Sequence, residues 1–419
     1  MRILVATLRY PPYVAGGYEL LTRDAVEGLR ERGHEVQVLA GRGERLAGSP
    51  GVLPWLEPDL DGETDLFRHS FEAGNLERFR LHFLRLANWR ATHRALRASG
   101  AEIFCFFNLG LVSLAPVLAA RHAGLATLGF VSDPWPRNHW LQAWRERGEK
   151  PVRLELLADL WRGFRDMVGL GPLLVPSEDL RGALIADGLP AAGLRVLPLG
   201  APPDAEAAAR SAAPPERRPG EPLRVLCSSM HWPGKGVHVL LEGARLAAER
   251  GVELELLLAG GGPAPYRAEL EALAARPPLG GRVRFAGLLE RESLLAELAR
   301  AHVFAFPSLW AEPFALATLE AMAHGLAVVA SDAGGTPEQI GHGREGLLVP
   351  AGDAAALAAA LERLGANEPE RRALGRAARA RVGERFTQAR FLDGLEAALG
   401  RAAGRTAASP VPALAGGAR

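Results

Sequence analysis

The chain has 419 residues, 48% of them hydrophobic and 23% charged, with a formal net charge of +1. That length suits two or three domains. The composition is globular, and the near-neutral balance excludes a general electrostatic pull toward nucleic acid. The longest apolar stretch, "LGLVSLAPVLAA" at 109–120, is too short to span a membrane. The opening "MRILVATLRYPP" lacks the apolar core and small-residue cleavage site of a leader and reads as a first strand. The expectation is a cytoplasmic protein.

In chain order, strand-like apolar runs stand at 2–8, 35–41, 102–108, 126–132, 172–177 and 194–200, then at 223–229, 253–260, 283–289, 303–308, 327–332 and 345–350. Helical patterns such as 19–32, 236–250 and 353–364 lie between them. Near-continuous apolar strands alternating with helices argue for parallel sheets covered on both faces. The segment 201–221, rich in Ala, Pro and charge, reads as a linker. The fold class is therefore α/β. Two Rossmann-like domains are expected, 1–200 and 222–385, their parallel sheets facing across a cleft. A helix over 386–402 would pack back toward the first domain, and 403–419 reads as a flexible tail. Cys105 and Cys227 both fall in predicted buried strands and read as free thiols.

Lys150 and Lys235 are the only lysines among 49 basic residues. A lysine in so arginine-rich a chain hints at a place where the fork-shaped guanidinium does not serve. Lys150 lies in a polar loop. Lys235 lies in "SSMHWPGKGVHVLLEG" at 228–243, after a strand and at a helix start, where it can reach a diphosphate as a point charge. His231 in the same loop is a candidate donor to phosphate. This is no P-loop, because Gly236 and Ser229 stand where Ser/Thr and the first Gly belong.

Ligands of open α/β sheets sit beyond the carboxyl ends of the strands, so the other strand-end loops matter too. "RYPPYVAGGYE" at 9–19 sets Gly16 and Gly17 before a helix, where backbone can approach a phosphate. "LLLAGGGPAPY" at 256–266 places Gly261 at the centre of a candidate backbone nest, or of a plain turn. "FVSDPWPRNHW" at 130–140 offers Ser132, Asp133, Trp135 and Trp140: Asp133 to orient an acceptor hydroxyl, the tryptophans to stack on a sugar, unless they form an Asp-Pro turn over core rings. In "ASDAGGTPEQI" at 330–340, Gly334 and Gly335 suit either a turn or a diphosphate contact. The segment 76–98 carries six arginines and one glutamate among Leu, Phe and Trp. It reads either as a solvated helix or as peripheral contact with an anionic membrane. No His/Cys/Asp cluster with metal-ligand spacing is visible, so neither metal nor cofactor is expected.

"WAEPFALATLE" at 310–320 holds Glu312 and Glu320 eight residues apart. With Pro313 at the first helical position, Glu312 would cap the helix. The two carboxylates would then lie roughly 12 Å apart along the axis and about 80° apart around it. Paired glycosidase carboxylates need roughly 5–9.5 Å, so these two would not share one bond. They could hold the two ends of an elongated ligand whose phosphates lie at the helix start. A nucleotide-diphosphate sugar is such a ligand; a cap plus a solvated glutamate is the alternative.

Taken together, "PPYVAGGYE", "GKGVHVLLEG", "VRFAGLLERESLLAELARAHVFAFPS" and "EPFALATLEAMAHGLAVVASDAGGTPE" resemble, in this order, a GT-B glycosyltransferase of family 4, the retaining group with an E-x7-E element. The resemblance covers all but the tail. It implies that Glu312 contacts the donor sugar, that Phe314, Ala315 and Leu316 present backbone N–H groups to sugar and phosphate, and that Glu320 holds the ribose hydroxyls. Lys235 would neutralise the diphosphate, Leu288 would lie near the base, and Gly17 would let the diphosphate approach the first domain. Met230, Ser132 and Ala315 depart from the Arg, His and Gly usual in the family. The implied activity is metal-independent, retaining transfer of a hexose to an acceptor hydroxyl, with Glu312, Lys235 and Asp133 as the catalytic set. Alternatives are a nucleotide-sugar-binding protein that has lost transfer and a sugar-nucleotide epimerase.

Overall fold

The computed structural model describes residues 1–14, 16–61, 83–136, 151–211 and 215–405. Two compact units divide them: Met1–Leu197 with the chain from Leu392, and Pro198–Phe391. In the first unit the strands are β1 (Arg2–Ala6), β2 (Glu35–Arg42), β3 (Val52–Asp59), β4 (Ile103–Phe106), β5 (Ala126–Phe130), β6 (Leu173–Val175) and β7 (Leu194–Val196). They form one sheet in the order β3-β2-β1-β4-β5-β6-β7, and the pairings are parallel, as in Leu4 opposite Phe104. Every residue of β4 and β5 is buried. These strands are apolar throughout because helices cover both faces of a parallel sheet.

β3 is the one strand here that the apolar pattern does not mark. Its sequence "VLPWLEPD" contains Pro54 and Pro58, which cannot donate to a ladder and are tolerated at a sheet edge. β3 is an edge strand, and its register against β2 shifts on both sides of Gly41.

The second unit repeats the order with six strands: β8 (Leu223–Ser228), β9 (Leu254–Ala259), β10 (Val283–Gly287), β11 (Val303–Phe306), β12 (Ala327–Ser331) and β13 (Gly346–Val349). The sheet runs β10-β9-β8-β11-β12-β13. The chain moves outward from β8 through β9 to β10, then returns to lay β11 on the other side of β8. The strand order therefore reverses between β8 and β11, and the carboxyl ends of these two strands frame the crevice where such sheets bind ligands. Leu240, Leu254, Leu270 and Leu361 sit at 0% exposure in the core beneath.

The segment expected as a linker differs from that expectation at its start. Pro203–Ser211 is a helix of the second unit, and the Ala201 N–H bonds the Phe386 carbonyl at 2.8 Å. Its alanine-rich sequence favours helix. The last helix runs Gln388–Arg405. From Leu392 it belongs to the first unit, where Arg32 pairs with Asp393 at 2.8 Å and Glu396 at 2.9 Å. Among the described residues no helix is long and apolar enough to cross a membrane. Cys105 and Cys227 are free and buried, and burial raises their thiols to about 12 and about 11.

Candidate active site

The loops after β8 and β11 bring two predicted residues together. Lys235 ends the turn Pro233–Lys235 that follows β8, and Glu312 lies in the loop after β11. The Lys235 ammonium donates to Glu312 Oε2, both side chains being largely buried. Gly236, directly after the lysine, sets this geometry. It adopts φ +66°, and a Cβ there would overlap the Pro307 carbonyl at the end of β11. Only glycine takes both conditions without strain. The Gly234 carbonyl then accepts from the N–H groups of Leu309 and Trp310 at 2.8 and 2.9 Å. The lysine loop and the glutamate loop are thus pinned to each other by backbone, with the ion pair between them.

The helix after Glu312 starts later than the sequence suggests. It spans Leu316–Ala323, with Ala315 as an extended cap residue, so Pro313 is not its first residue and Glu312 is not its cap. Two contacts hold 312–315 out of the helix. Gly335 donates to the Glu312 carbonyl at 2.8 Å. The Gln339 amide clamps Ala315, accepting its N–H at 3.3 Å and donating to its carbonyl at 3.0 Å. Gln339 is at 0% exposure, and a buried amide needs both partners. The Ala315 N–H, expected to face a ligand, is therefore occupied by Gln339. Phe314 is buried edge-on to Phe386 at 5.5 Å. Leu316 opens the helix, whose first-turn N–H groups have no acceptor within the helix. Gly334 serves this loop rather than standing as a free turn: at φ +60°, a Cβ would come within 2.6 Å of the Ala311 carbonyl carbon and the Glu312 nitrogen.

Glu320 lies in the middle of this helix, 6% exposed. Arg291 Nη1 donates to its Oε1. The same guanidinium grips both oxygens of Asp204 through Nε and Nη2, each at 2.6 Å. Burial works against the Arg291 charge, yet Asp204 and Glu320 hold it above its ordinary value.

Around the end of β8, alternate side chains point opposite ways. Met230 is 52% exposed while His231 is at 0%. The His231 ring packs edge-on to Phe285 at 6.4 Å, and burial, then Arg267, pushes it below its ordinary value. Its imidazole is therefore an interior group and not the phosphate donor expected. Its backbone N–H donates to the Gly261 carbonyl at 2.7 Å. Gly261 in turn neighbours Leu288, which is 86% exposed.

In the first unit, Gly17 begins the helix Gly17–Glu31, and the Gly16 N–H donates to Glu19 at 2.9 Å. Tyr18, next along, ties this start to the other candidate loop. Its hydroxyl donates to the Phe130 carbonyl and accepts from the Ser132 N–H, both at 2.9 Å. Burial, then the Asp133 carboxylate, holds that hydroxyl well above its ordinary value. Asp133 Oδ1 accepts the Trp135 N–H at 2.9 Å, an Asx turn. Trp135 is 3% exposed, edge-on to Phe106, so its ring fills the core instead of offering a stacking face. Trp140, Lys150 and 76–82 lie outside the described residues. From Leu86 onward the arginine segment forms the helix Leu86–Ser99.

Two family models match the chain: the glycosyl transferase 4-like domain over residues 16–200 and the glycosyl transferases group 1 domain over residues 221–367. The chain is also 31% identical over 410 residues to the MMP alpha-(1->4)-mannosyltransferase of Mycolicibacterium hassiacum, a match spanning 92% of this chain and 95% of the relative. The chain belongs to the group 1 glycosyltransferase family. The amylovoran biosynthesis glycosyltransferase AmsK of Erwinia amylovora is 33% identical over 243 residues, which is 56% of this chain and only 58% of that protein's length. The structure of Anabaena HepE in complex with UDP and glucose superposes with a TM-score of 0.69 at 20% identity, covering 96% of this chain and 99% of that one. At that identity the likeness shows the fold, and this glycosyltransferase has the GT-B architecture of two Rossmann-like units.

Sequence reasoning did not find Arg291, Asp204 or Gln339 in this glycosyltransferase. Gln339 carried a faint signal, a lone amide beside a glycine pair. Arg291 carried none, because its partner Asp204 is 87 positions away. Among the described residues no group of three or more His, Cys, Asp or Glu side chains is placed to hold a metal ion.

Proposed function

We propose that the protein transfers a hexose, with retention, from a nucleotide-diphosphate sugar to an acceptor hydroxyl. The observation that carries this reading is the Lys235–Glu312 pair at the strand-order reversal, followed by Glu320 on the next helix. The cation would meet the diphosphate, Glu312 the sugar hydroxyls and Glu320 the ribose. Each carboxylate is paired with a cation, Glu312 with Lys235 and Glu320 with Arg291.

In the proposed mechanism the acceptor hydroxyl attacks the anomeric carbon on the face that the diphosphate leaves. The carbon–phosphate-oxygen bond breaks, the new glycosidic bond forms, and the departing phosphate takes the hydroxyl proton. The protein's work is to orient the two substrates and to stabilise the leaving charge with Lys235 and the start of the helix at Leu316. No step is assigned to a metal. Asp133 is proposed to orient the acceptor, with Ser132 beside it, and Gly16 and Gly17 to give the diphosphate room. Gly261 and Leu288 are proposed to border the base. Exposed Arg90, Arg94 and Arg97, with Leu86 beside them at 61% exposure, suit peripheral contact with an anionic membrane, which sedimentation with phosphatidylserine vesicles would check.

Met230, exposed where the family has an arginine, favours a second reading: a protein that binds the donor and does not transfer. Calorimetry of UDP, GDP, ADP and their glucose and mannose sugars, on wild type and Glu320→Ala, tests both. Selective binding lost in the variant supports donor recognition, and release of free nucleoside diphosphate on incubation separates transfer from binding. No binding by any of them contradicts both readings.

A further inference from the structure

Glu320 is 8% exposed in its side chain and carries a carboxylate in the middle of an otherwise uncharged helix, "LATLEAMA". A buried carboxylate left alone is costly and holds its charge only when paired. Arg291, from the helix Arg291–Arg300 that follows β10, supplies the charge. What distinguishes this pair is how the cation itself is held. Asp204 takes Nε and Nη2 in a two-pronged grip, each at 2.6 Å, and so fixes the guanidinium plane. Nη1 is the remaining corner of the fork, and it falls on Glu320 Oε1. A lysine could supply the charge but not this geometry, since it has one flexible head and no fork.

We propose that Arg291 is a positioning residue for the nucleoside end of the donor: braced by Asp204, it holds the Glu320 carboxylate in the orientation that receives the ribose hydroxyls. The assignment rests on the reading of Glu320 given above. It adds to the site a residue and an anchor that lie outside the E-x7-E element. Asp204 stands in the first turn of the helix Pro203–Ser211, which opens the second unit, so the entry segment of this unit takes part in shaping its ligand site.

The experiment is calorimetric titration of wild type, Arg291→Ala, Arg291→Lys, Asp204→Asn and Glu320→Ala with three probes. These are whichever of UDP, GDP or ADP the wild type binds, the 2′-deoxy form of that nucleotide, and inorganic pyrophosphate, which has no ribose. Arg291→Ala is expected to weaken the nucleoside diphosphate about tenfold, the scale of one hydrogen bond to a charged group. It should leave pyrophosphate within about twofold and lower the preference for the ribose over the deoxy form. Arg291→Lys should recover only part of the loss, and Asp204→Asn should lose less than Arg291→Ala. Adding Arg291→Ala to Glu320→Ala should have no further effect on nucleotide affinity. Equal weakening of pyrophosphate would mean general damage to the site, and unchanged nucleotide affinity would mean no role; either overturns the assignment while Glu320 keeps its own. If wild type shows no preference for the ribose form and Glu320→Ala changes nothing, the reading of Glu320 falls and Arg291 falls with it.

Discussion

The two units share one strand order and differ in what stands where that order reverses. In the first unit, the loops after β1 and β4 are joined backbone to backbone: the Leu8 N–H donates to the Asn108 carbonyl at 2.7 Å. Leu8, Tyr10 and Tyr13 are buried there. In the second unit, the equivalent loops oppose a lysine and a glutamate. The fold supplies the crevice in both, and the side chains decide what each one holds. The polar residues of the first unit's outer loop, Ser132 and Asp133, make local bonds with Tyr18 and Trp135.

The strongest way to break this contrast is through the glycines that precede a helix in each unit. Gly236→Ala places a Cβ against the Pro307 carbonyl at positive φ and should cost about 3 kcal/mol or more, read by chemical denaturation. Gly16→Ala meets nothing within 4 Å and keeps an extended backbone, so it should stay within about 0.5 kcal/mol.

A pH measurement separates the units next. His302 in the second unit is at 0% exposure. Burial, then Arg224 and Arg371, holds its imidazole down at about 4. The unfolded chain takes up that proton near pH 6.5 and the folded one does not, so stability should fall as pH drops from about 6.5 to about 4. The loss is about 3 kcal/mol at the acid end. His302→Gln should flatten that slope over the same window, and an unchanged slope would contradict the assignment.

Glu320→Ala comes third, weakening nucleoside diphosphate binding by roughly 10–100-fold, on the scale of hydrogen bonds to a charged group. Asp133→Asn is the gentlest test. Asn keeps the acceptor oxygen of the Asx turn, so stability should stay within about 0.5 kcal/mol and nucleotide affinity should hold. A fall in transfer rate at full nucleotide affinity would place the Asp133 charge on the acceptor side.

Much of the fold was legible because strands buried on both faces are apolar without interruption, as "IFCF" in β4 shows. β3 escaped because Pro54 and Pro58 argue against a strand, and the argument fails only at an edge. In the site, Lys235 and Glu312 were legible because lysine is rare in this chain and the glutamate spacing is distinctive. The helix start was misread because Pro313 is a good first helical residue, while the Gln339 and Gly335 contacts that keep it extended come from a later short helix, Thr336–Gln339, and its cap. His231 could not be placed, because periodicity does not say which residue of a strand-end loop turns inward. Arg291 looks in sequence like any surface arginine, and only the tertiary fold puts it between Asp204 and Glu320.

The proposed role of the charged pair at the β8/β11 reversal is to receive the diphosphate of a nucleotide sugar. The measurement that tests it most directly is calorimetric titration of wild type and Lys235→Ala with UDP, GDP, ADP and inorganic pyrophosphate. Wild type is expected to bind one nucleoside diphosphate selectively, with that ligand and pyrophosphate both weakened about tenfold or more in the variant. Equal affinities in the two proteins, or no binding by wild type, would contradict it.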